Sequence, residues 1–333
     1  MSAGPRVVLG MPTYNGSRHL PEAMDSILHQ VYSDFALVVV DDASIDASPE
    51  LAERYAARDP RIYPHVNAER LGMVANWRRC FELARQRFPE AEFFAWVSDH
   101  DRWHPRWLSE LVRELDADPG AVLAYPRALR PAGAGTGRSP WLREAARFDS
   151  GTLTGLRRVR AVQRGMSAGS MVYGLFRIAD LERCGVFRPF LEPDRLLLVE
   201  ASTRGTFRQA PETLYYRRRT GGKPTLERQR TSLFVGRPPW TGRLPPGAGH
   251  VVGMLTSRAA PVGVRCGAAA ILLPSAVRAP WLRLRLPRSL AARGERRHPN
   301  AIVLARTARA IVRPRDGAPM LAALAEPSAR TRP

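Results

Sequence analysis

Three short acidic stretches are the parts of this 333-residue sequence best able to do chemistry. Asp41-Asp42 follow the apolar run from Phe35 to Val40 and lead into Ala43-Ser44-Ile45-Asp46. Ser98-Asp99-His100-Asp101-Arg102-Trp103 follow a second apolar run, Glu92 to Val97. Glu192-Pro193-Asp194 close a Phe-rich loop just before a helix-patterned segment, Arg195 to Ser202. Two carboxylates one residue apart, past a buried strand, can hold a divalent cation, and that cation can bridge two phosphates of a nucleotide diphosphate. A departing diphosphate needs such help, because negative charge builds on it as its bond breaks. An acid in a loop at a helix N-terminus can serve as a general base. The carboxylates and hydroxyls of Pro12-Thr13-Tyr14-Asn15 and Asp41 to Asp46 can donate to and accept from a base and a ribose. Each stretch also has a plainer reading, as a helix cap or a solvated acidic turn.

The elements that would position these residues are written in the apolar pattern. Short continuous apolar runs predict strands at Arg6 to Met11, Phe35 to Val40, Arg61 to Val66, Glu92 to Val97 and Ala121 to Tyr125. Further strands are expected at Met171 to Phe176 and Thr213 to Arg217. Between them, 3.6-residue spacing predicts helices over Leu20 to Val31, Ser48 to Arg58, Met73 to Phe88 and Trp107 to Leu115. Later helices are expected at Asp180 to Cys184 and Arg195 to Ser202. Strands alternating with helices, in runs apolar on both faces, mean an α/β fold with a mostly parallel sheet covered on both sides. Ligands bind such sheets at the carboxyl ends of the strands, which is where the acids fall. Residues 127–170 are Gly-, Arg- and Pro-rich and read as a loop or insertion with one helix.

Composition bounds the rest. Seventeen Arg against three acids after Phe234 concentrate the net charge of +20 toward the C-terminus. That favours an anionic partner, although a GC-rich coding bias gives the same counts. No nucleic-acid recognition motif accompanies the charge in the first 230 residues, so no nucleic-acid partner is expected. Cys80, Cys184 and Cys266 show neither metal nor redox spacing, and they fit a reducing cytoplasm. No signal-peptide pattern or bilayer-spanning run is visible. The first turn, Gly10-Met11-Pro12-Thr13-Tyr14-Asn15-Gly16, lacks the Gly-x-Gly-x-x-Gly of a dinucleotide site.

All three acidic stretches occur in one order, and that order carries a resemblance. The segments PTYNGSRHLPEAMDSILHQVYSDFALVVVDDASID, NAERLGMVANW and FFAWVSDHDRWHPRWLSELVREL resemble the family 2 glycosyltransferases of the GT-A fold over residues 5–220. The resemblance implies transfer of a sugar from a nucleotide diphosphate sugar, UDP-type, to an acceptor hydroxyl with inversion. The setting would be cell-envelope polysaccharide or glycolipid synthesis. It implies that Pro12, Thr13, Tyr14 and Asn15 line the base pocket and that Asp42 bonds the base. Arg70 and Asn76 would lie at the nucleotide, Asp99 at the ribose or metal, and Asp101 at Mn2+ or Mg2+. Asp194 would be the catalytic base. Two departures stand out: one alignment puts His100 at the metal position, and Pro193 precedes the base. A catalytically degenerate nucleotide-sugar-binding relative and a sugar nucleotidyltransferase are the other readings.

A catalytic domain is expected over 1–230 and a basic, loosely ordered or short-helical extension over 231–333. Within the extension, Trp281 to Leu286 alternates apolar and basic residues, and Ala301 to Val312 is apolar with Arg306, Arg309 and Arg313 at helical spacing. Such pieces can lie on anionic membrane, so a cytoplasmic protein peripheral to the inner membrane face, near a glycan or glycolipid acceptor, is expected.

Overall fold

The first apolar runs are strands buried on both faces. In a computed structural model, residues 4–131, 141–144, 148–166, 168–218 and 225–277 are described. The chain opens with β1 (Val7–Thr13), α1 (Leu20–Leu28), β2 (Phe35–Asp41), α2 (Ser48–Ala56), β3 (Ile62–Val66), α3 (Met73–Arg87) and β4 (Phe93–Trp96). Val8, Val38, Val40, Phe94 and Trp96 face one core; Val7, Leu9, Leu37, Val39, Phe93 and Ala95 face another. Alternate residues thus serve opposite layers, and no polar face interrupts the run. On α1, Leu20, Ala23, Met24 and Ile27 form the buried stripe, and Pro21 fits the first turn, where its missing N–H costs nothing. Each large apolar side chain so buried contributes roughly 1.5–3 kcal/mol.

The chain continues through β5 (Arg102–Trp103), α4 (Trp107–Ala117), β6 (Ala121–Pro131), β7 (Trp141–Glu144), α5 (Gly155–Gly165), α6 (Ala168–Met171), β8 (Leu175–Arg177) and α7 (Ile178–Arg183). It then forms α8 (Pro193–Arg204), β9 (Thr206–Tyr216), α9 (Leu226–Leu233), α10 (Trp240–Arg243), α11 (Pro246–Leu255) and α12 (Val262–Val277). The strand order is β3-β2-β1-β4-β8-β6-β9-β5, with β7 beside β6. β3, β2, β1 and β4 are parallel, as are β6 and β9, whereas β8 runs antiparallel to both β4 and β6. The expected α/β architecture is borne out.

Local differences have local causes. Met171 ends α6 rather than starting a strand, and only Leu175–Arg177 pairs, because two neighbours grip Phe176 there. β6 runs on into the Arg- and Pro-rich stretch as far as Pro131, carried by β7 and β9.

An aromatic column joins α3, β4 and the loop before α8. The Trp77 and Trp96 rings stack at 5.8 Å, and Phe187 lies 4.8 Å from each. Trp96 Nε1 donates to the Trp77 carbonyl at 3.0 Å. The Arg78 guanidinium donates to the carbonyls of Gly185 (2.7 Å) and Phe187 (3.2 Å). The loop that delivers Asp194 is therefore anchored to the sheet.

The compact unit continues past the expected boundary near 230, as far as Ala276. Met254, Ala268, Ala269 and Leu272 share a small core with Val159 of α5 and Phe190, Leu196 and Val199 around α8. The expected membrane-binding pieces at 281–286 and 301–313 lie outside the described residues. Among the described residues no helix is long and apolar enough to cross a membrane.

Glu200 of α8 is wholly buried, and its Oε1 accepts from Arg188 at 2.8 Å. Burial pushes its carboxyl up from 4.5 to about 7, outweighing the Arg188 charge. A carboxyl whose folded pKa stands above its unfolded one takes up a proton on folding. Its contribution is then greatest below the unfolded value and falls as pH rises from 4.5 to 7. Glu200→Gln cannot titrate. Relative to wild type it should gain stability progressively across that window, read by urea unfolding at a series of pH values.

Candidate functional site

The first two loops are tied into one rim by their own polar side chains. The Asn15 and Gly16 N–H groups donate to Ser44 Oγ (2.8 Å) and Ser48 Oγ (2.9 Å), and the Ser17 N–H donates to Asp46 (3.0 Å). Asn15 Oδ1 accepts from the Ile45 N–H at 3.0 Å. Partial burial works against the Asp46 charge, but hydrogen bonds from Ser48 and Ser17 outweigh it and hold the acid at about 2. Asp41 closes its own turn, accepting from the Ser44 N–H (2.7 Å) and Oγ (2.6 Å). Burial still leaves its carboxyl above the ordinary value.

Asp42 is buried and organises the loop after β3. Its Oδ1 accepts from Asn67 Nδ2 (3.0 Å) and the Leu71 N–H (2.7 Å), and its Oδ2 accepts from the Gly72 N–H (2.9 Å). A carboxylate has about four acceptor directions, so these three bonds leave Oδ2 one lone pair for a ligand. Asn76, expected at the nucleotide, is 3% exposed. Its amide donates to the Val40 carbonyl (3.1 Å), and its oxygen accepts from Asn67 (2.9 Å). It props up Asn67 and, through it, Asp42. Gly72 has φ 86°, and the backbone of Leu233 to Val235 lies 3.1–3.3 Å from where a Cβ would stand. The positive φ favours glycine, and a β-carbon there would also press on that backbone.

Tyr14 and Arg70 come together across the rim. The Arg70 guanidinium lies 4.2 Å from the Tyr14 ring centroid, and Tyr14 is 40% exposed. An open tyrosine with a cation on it is a surface on which a flat base can stack. Pro12 and Thr13 are buried at the end of β1, and Thr13 Oγ1 donates to Asp99 Oδ2 at 2.8 Å. Gly16 lies so close that a Cβ there would be 2.5 Å from Asp99 Oδ2.

The stretch after β4 divides its labour. Asp99 and His100 pair at 2.7 Å, with Asp99 Oδ1 against His100 Nδ1. Burial works against a charged imidazole, but the Asp99 hydrogen bond and the charge of Asp101 outweigh it and raise the His100 pKa. Asp101, expected as a metal ligand, is 1% exposed and turned to partners within the protein. Its Oδ2 accepts from the Tyr215 hydroxyl and its Oδ1 from the Arg218 N–H at 2.7 Å. Arg218 also donates to the His100 carbonyl (2.9 Å) and pairs with Glu22. Its neighbour Arg217 makes no side-chain hydrogen bond among the described residues, and its guanidinium lies against Gly169. His100 and Tyr173 both feel the Arg217 charge. Arg219 to Lys223 lie outside the described residues.

Asp194 stands in the first turn of α8, half-buried. Burial raises its carboxyl above the ordinary value, against the pull of the Arg195 N–H. Tyr173 joins this acid to the others. Burial pushes its phenol up, and it feels the charges of Asp101, Arg217, Asp99 and Asp194. Its ring lies 5.6 Å from Trp77 and 5.4 Å from Tyr215. Sequence reasoning missed Tyr173, Tyr215 and His250, because no motif marks them.

Among the described residues no group of three His, Cys, Asp or Glu is arranged to hold a metal. The donor set present still fits a cation shared with a diphosphate. Such ions take one or two protein ligands and complete their shell from phosphate and water. Asp99 beside His100 is that kind of set, and an imidazole favours Mn2+ over Mg2+.

Carboxylates, an open aromatic ring and a cation thus gather at the strand ends of an α/β sheet, where such sheets take their ligands. The sequence model of glycosyl transferase family 2 matches residues 9–179, just over half of the chain, and the chain belongs to that family. Among curated relatives, the provisionally assigned glycosyltransferase EpsH of Bacillus subtilis (strain 168) is 29% identical over 119 residues, 36% of this chain and 33% of EpsH. WcaA of Escherichia coli (strain K12), provisionally a colanic acid biosynthesis glycosyl transferase, is 32% identical over 111 residues, 33% of this chain and 37% of WcaA. The match thus spans only about a third of these relatives' length. Among solved structures, Staphylococcus aureus TarS 1-349 in complex with UDP-GlcNAc superposes with a TM-score of 0.58 at 16% identity, over 85% of this chain and 77% of TarS. That likeness establishes the GT-A-like fold.

Proposed function

We propose that this protein is an inverting glycosyltransferase that moves a hexosyl group from a nucleotide diphosphate sugar, UDP-type, to a hydroxyl of a glycan or glycolipid, in making cell-envelope polysaccharide. The observation that carries this reading is Tyr173, whose phenol feels Asp99, Asp101, Asp194 and Arg217 together. The acids of the diphosphate end and the basic carboxylate therefore lie within electrostatic reach of one phenol. The base stacks at Tyr14 and Arg70, and the last lone pair of Asp42 accepts from its edge. Asp99, with Thr13 and His100 as its partners, meets the ribose and a divalent cation. When bound, that cation would offset charge on the diphosphate. Arg217 is the protein's own cation for the same charge. Asp194 takes the proton of the acceptor hydroxyl as that oxygen attacks the anomeric carbon, and the nucleoside diphosphate leaves from the opposite face. An acid raised by burial is a stronger base for this step than an exposed one. The complex of TarS with UDP-GlcNAc supports a UDP-type donor, and the WcaA relationship supports a polysaccharide product. Docking of the extension on anionic membrane belongs to the same reading.

Donor turnover tests it. Purified protein with Mn2+ or Mg2+ and a panel of UDP- and GDP-sugars should release nucleoside diphosphate from one donor, and a chelator should suppress the release. Neither binding nor release with any donor would overturn the reading in favour of a non-catalytic relative.

A further inference from the structure

The turn that presents Asp194 is held by a helix outside residues 9–179, the family match. Glu192 caps α8 at φ 50° and ψ 55°, left-handed. A residue with a β-carbon keeps that conformation only where its surroundings hold it. The holding group is His250 of α11, which is 6% exposed. Its Nε2 lies 3.1 Å from the Leu191 carbonyl and 3.1 Å from the Glu192 carbonyl. Both partners are acceptors, so Nε2 carries the proton and is shared between them. The Glu192 carbonyl also accepts from the N–H groups of Arg195 (3.1 Å) and Leu196 (3.4 Å), the turn that contains Asp194.

The rest of α11 is fitted to keep His250 there. Gly253 lets the helix lie directly on α8, since a Cβ would stand 2.6 Å from Leu196. Gly249 faces Phe190, 3.3 Å from its would-be Cβ. Arg188, in the same loop, donates to the Gly253 carbonyl (2.6 Å) and to Glu200 (2.8 Å). The helix thus grips the chain on both sides of Asp194. A purely packing role for α11 would need an apolar residue at 250, not a donor aimed at two carbonyls.

We propose that His250 is a positioning residue. It fixes the Leu191–Glu192 peptides and thereby the aim of the Asp194 carboxylate, so residues outside the family match complete the acceptor side of the site. This rests on the reading of Asp194 as the base.

The test uses the full chain with His250→Phe, which keeps the ring and removes the donor, and His250→Gln, whose amide reaches the same carbonyls. Two readouts are taken: turnover of the UDP- or GDP-sugar that wild type hydrolyses, and amide hydrogen exchange of the 190–197 segment, which needs no substrate. His250→Phe should lose about tenfold or more in kcat, with the donor KM within about twofold, because a displaced base harms the step and not binding. Its 190–197 segment should exchange about tenfold faster, while the melting temperature stays within a few degrees. His250→Gln should restore both. Unchanged kcat and exchange in His250→Phe overturn the proposal, and so does a loss that glutamine fails to rescue. Should the phenylalanine variant not fold, His250→Asn replaces it, since its shorter amide stops short of the two carbonyls. Equal kcat and exchange in the Asn and Gln variants then overturn the proposal. The base reading fails separately, if Asp194→Asn turns over at the wild-type rate; the exchange readout still decides whether His250 holds the turn.

Discussion

Asp194→Asn should lower kcat by about 10²- to 10⁴-fold while leaving the donor dissociation constant within about twofold, the usual size of a lost general base. Asparagine keeps the shape and the hydrogen bond to the Arg195 N–H but cannot take a proton. The position is half-buried in the first turn of α8, where a helix N-terminus favours a negative charge. Desolvation nevertheless dominates and raises the carboxyl above its ordinary value. The pH profile of wild-type kcat/KM should therefore have an acid limb set above the usual carboxylate range, and the variant should lack it. Single-turnover measurements with the preferred donor read the rate, and isothermal titration reads the binding. A variant with full rate would remove Asp194 from the chemistry.

The second large effect separates two acids that sit two residues apart. Asp101→Ala should destabilise the fold by roughly 2–5 kcal/mol, because it strands the buried Tyr215 hydroxyl and the Arg218 N–H. For a chain of this size that is a fall in melting temperature of roughly 5–15 °C. Asp99→Ala should cost less, a fall of no more than about 5 °C, since Asp99 hydrogen-bonds only Thr13 and His100 among the described side chains. It should instead lose about 10²-fold or more of metal-stimulated donor turnover. Differential scanning fluorimetry and nucleotide release, run on both variants, check the pair. The reverse pattern would return Asp101 to the metal.

Those two acids show where sequence reading stops. Four of the five strands expected from Arg6 to Tyr125 were legible because burial on both faces leaves no polar residue to blur the run, whereas Arg61 to Val66 became the half-exposed edge strand β3. The acids at their ends were legible because parallel sheets expose those ends to ligands. What Asp101 does was not, since its partner Tyr215 lies 114 residues away and the pairing of β5 with β9 that brings them together involves only two residue pairs. Asn76 misled for a related reason: an amide near a ligand loop resembles a contact, and only packing shows it turned inward to Val40 and Asn67. His250 was invisible because it is one histidine in a Gly- and Pro-rich stretch without a motif. The pairing of Tyr14 with Arg70 bridges two loops 56 residues apart, yet both residues were singled out by their family setting.

The placement of β8 has a consequence for how the protein is made. Phe176 pairs with Phe94 of β4 on one side and with Leu123 of β6 on the other. During synthesis, β1 to β4 leave the ribosome first and can align as a parallel block. The flank of β4, Phe93–Trp96, then stays unsatisfied until Leu175–Arg177 emerges some eighty residues later. Through that interval the nascent chain carries an open, wholly apolar edge, the kind that recruits other strands. Any shortened chain ending before Leu175 keeps that edge for good. The three-residue strand is therefore the seam of the sheet, and dissection of this protein must leave it whole.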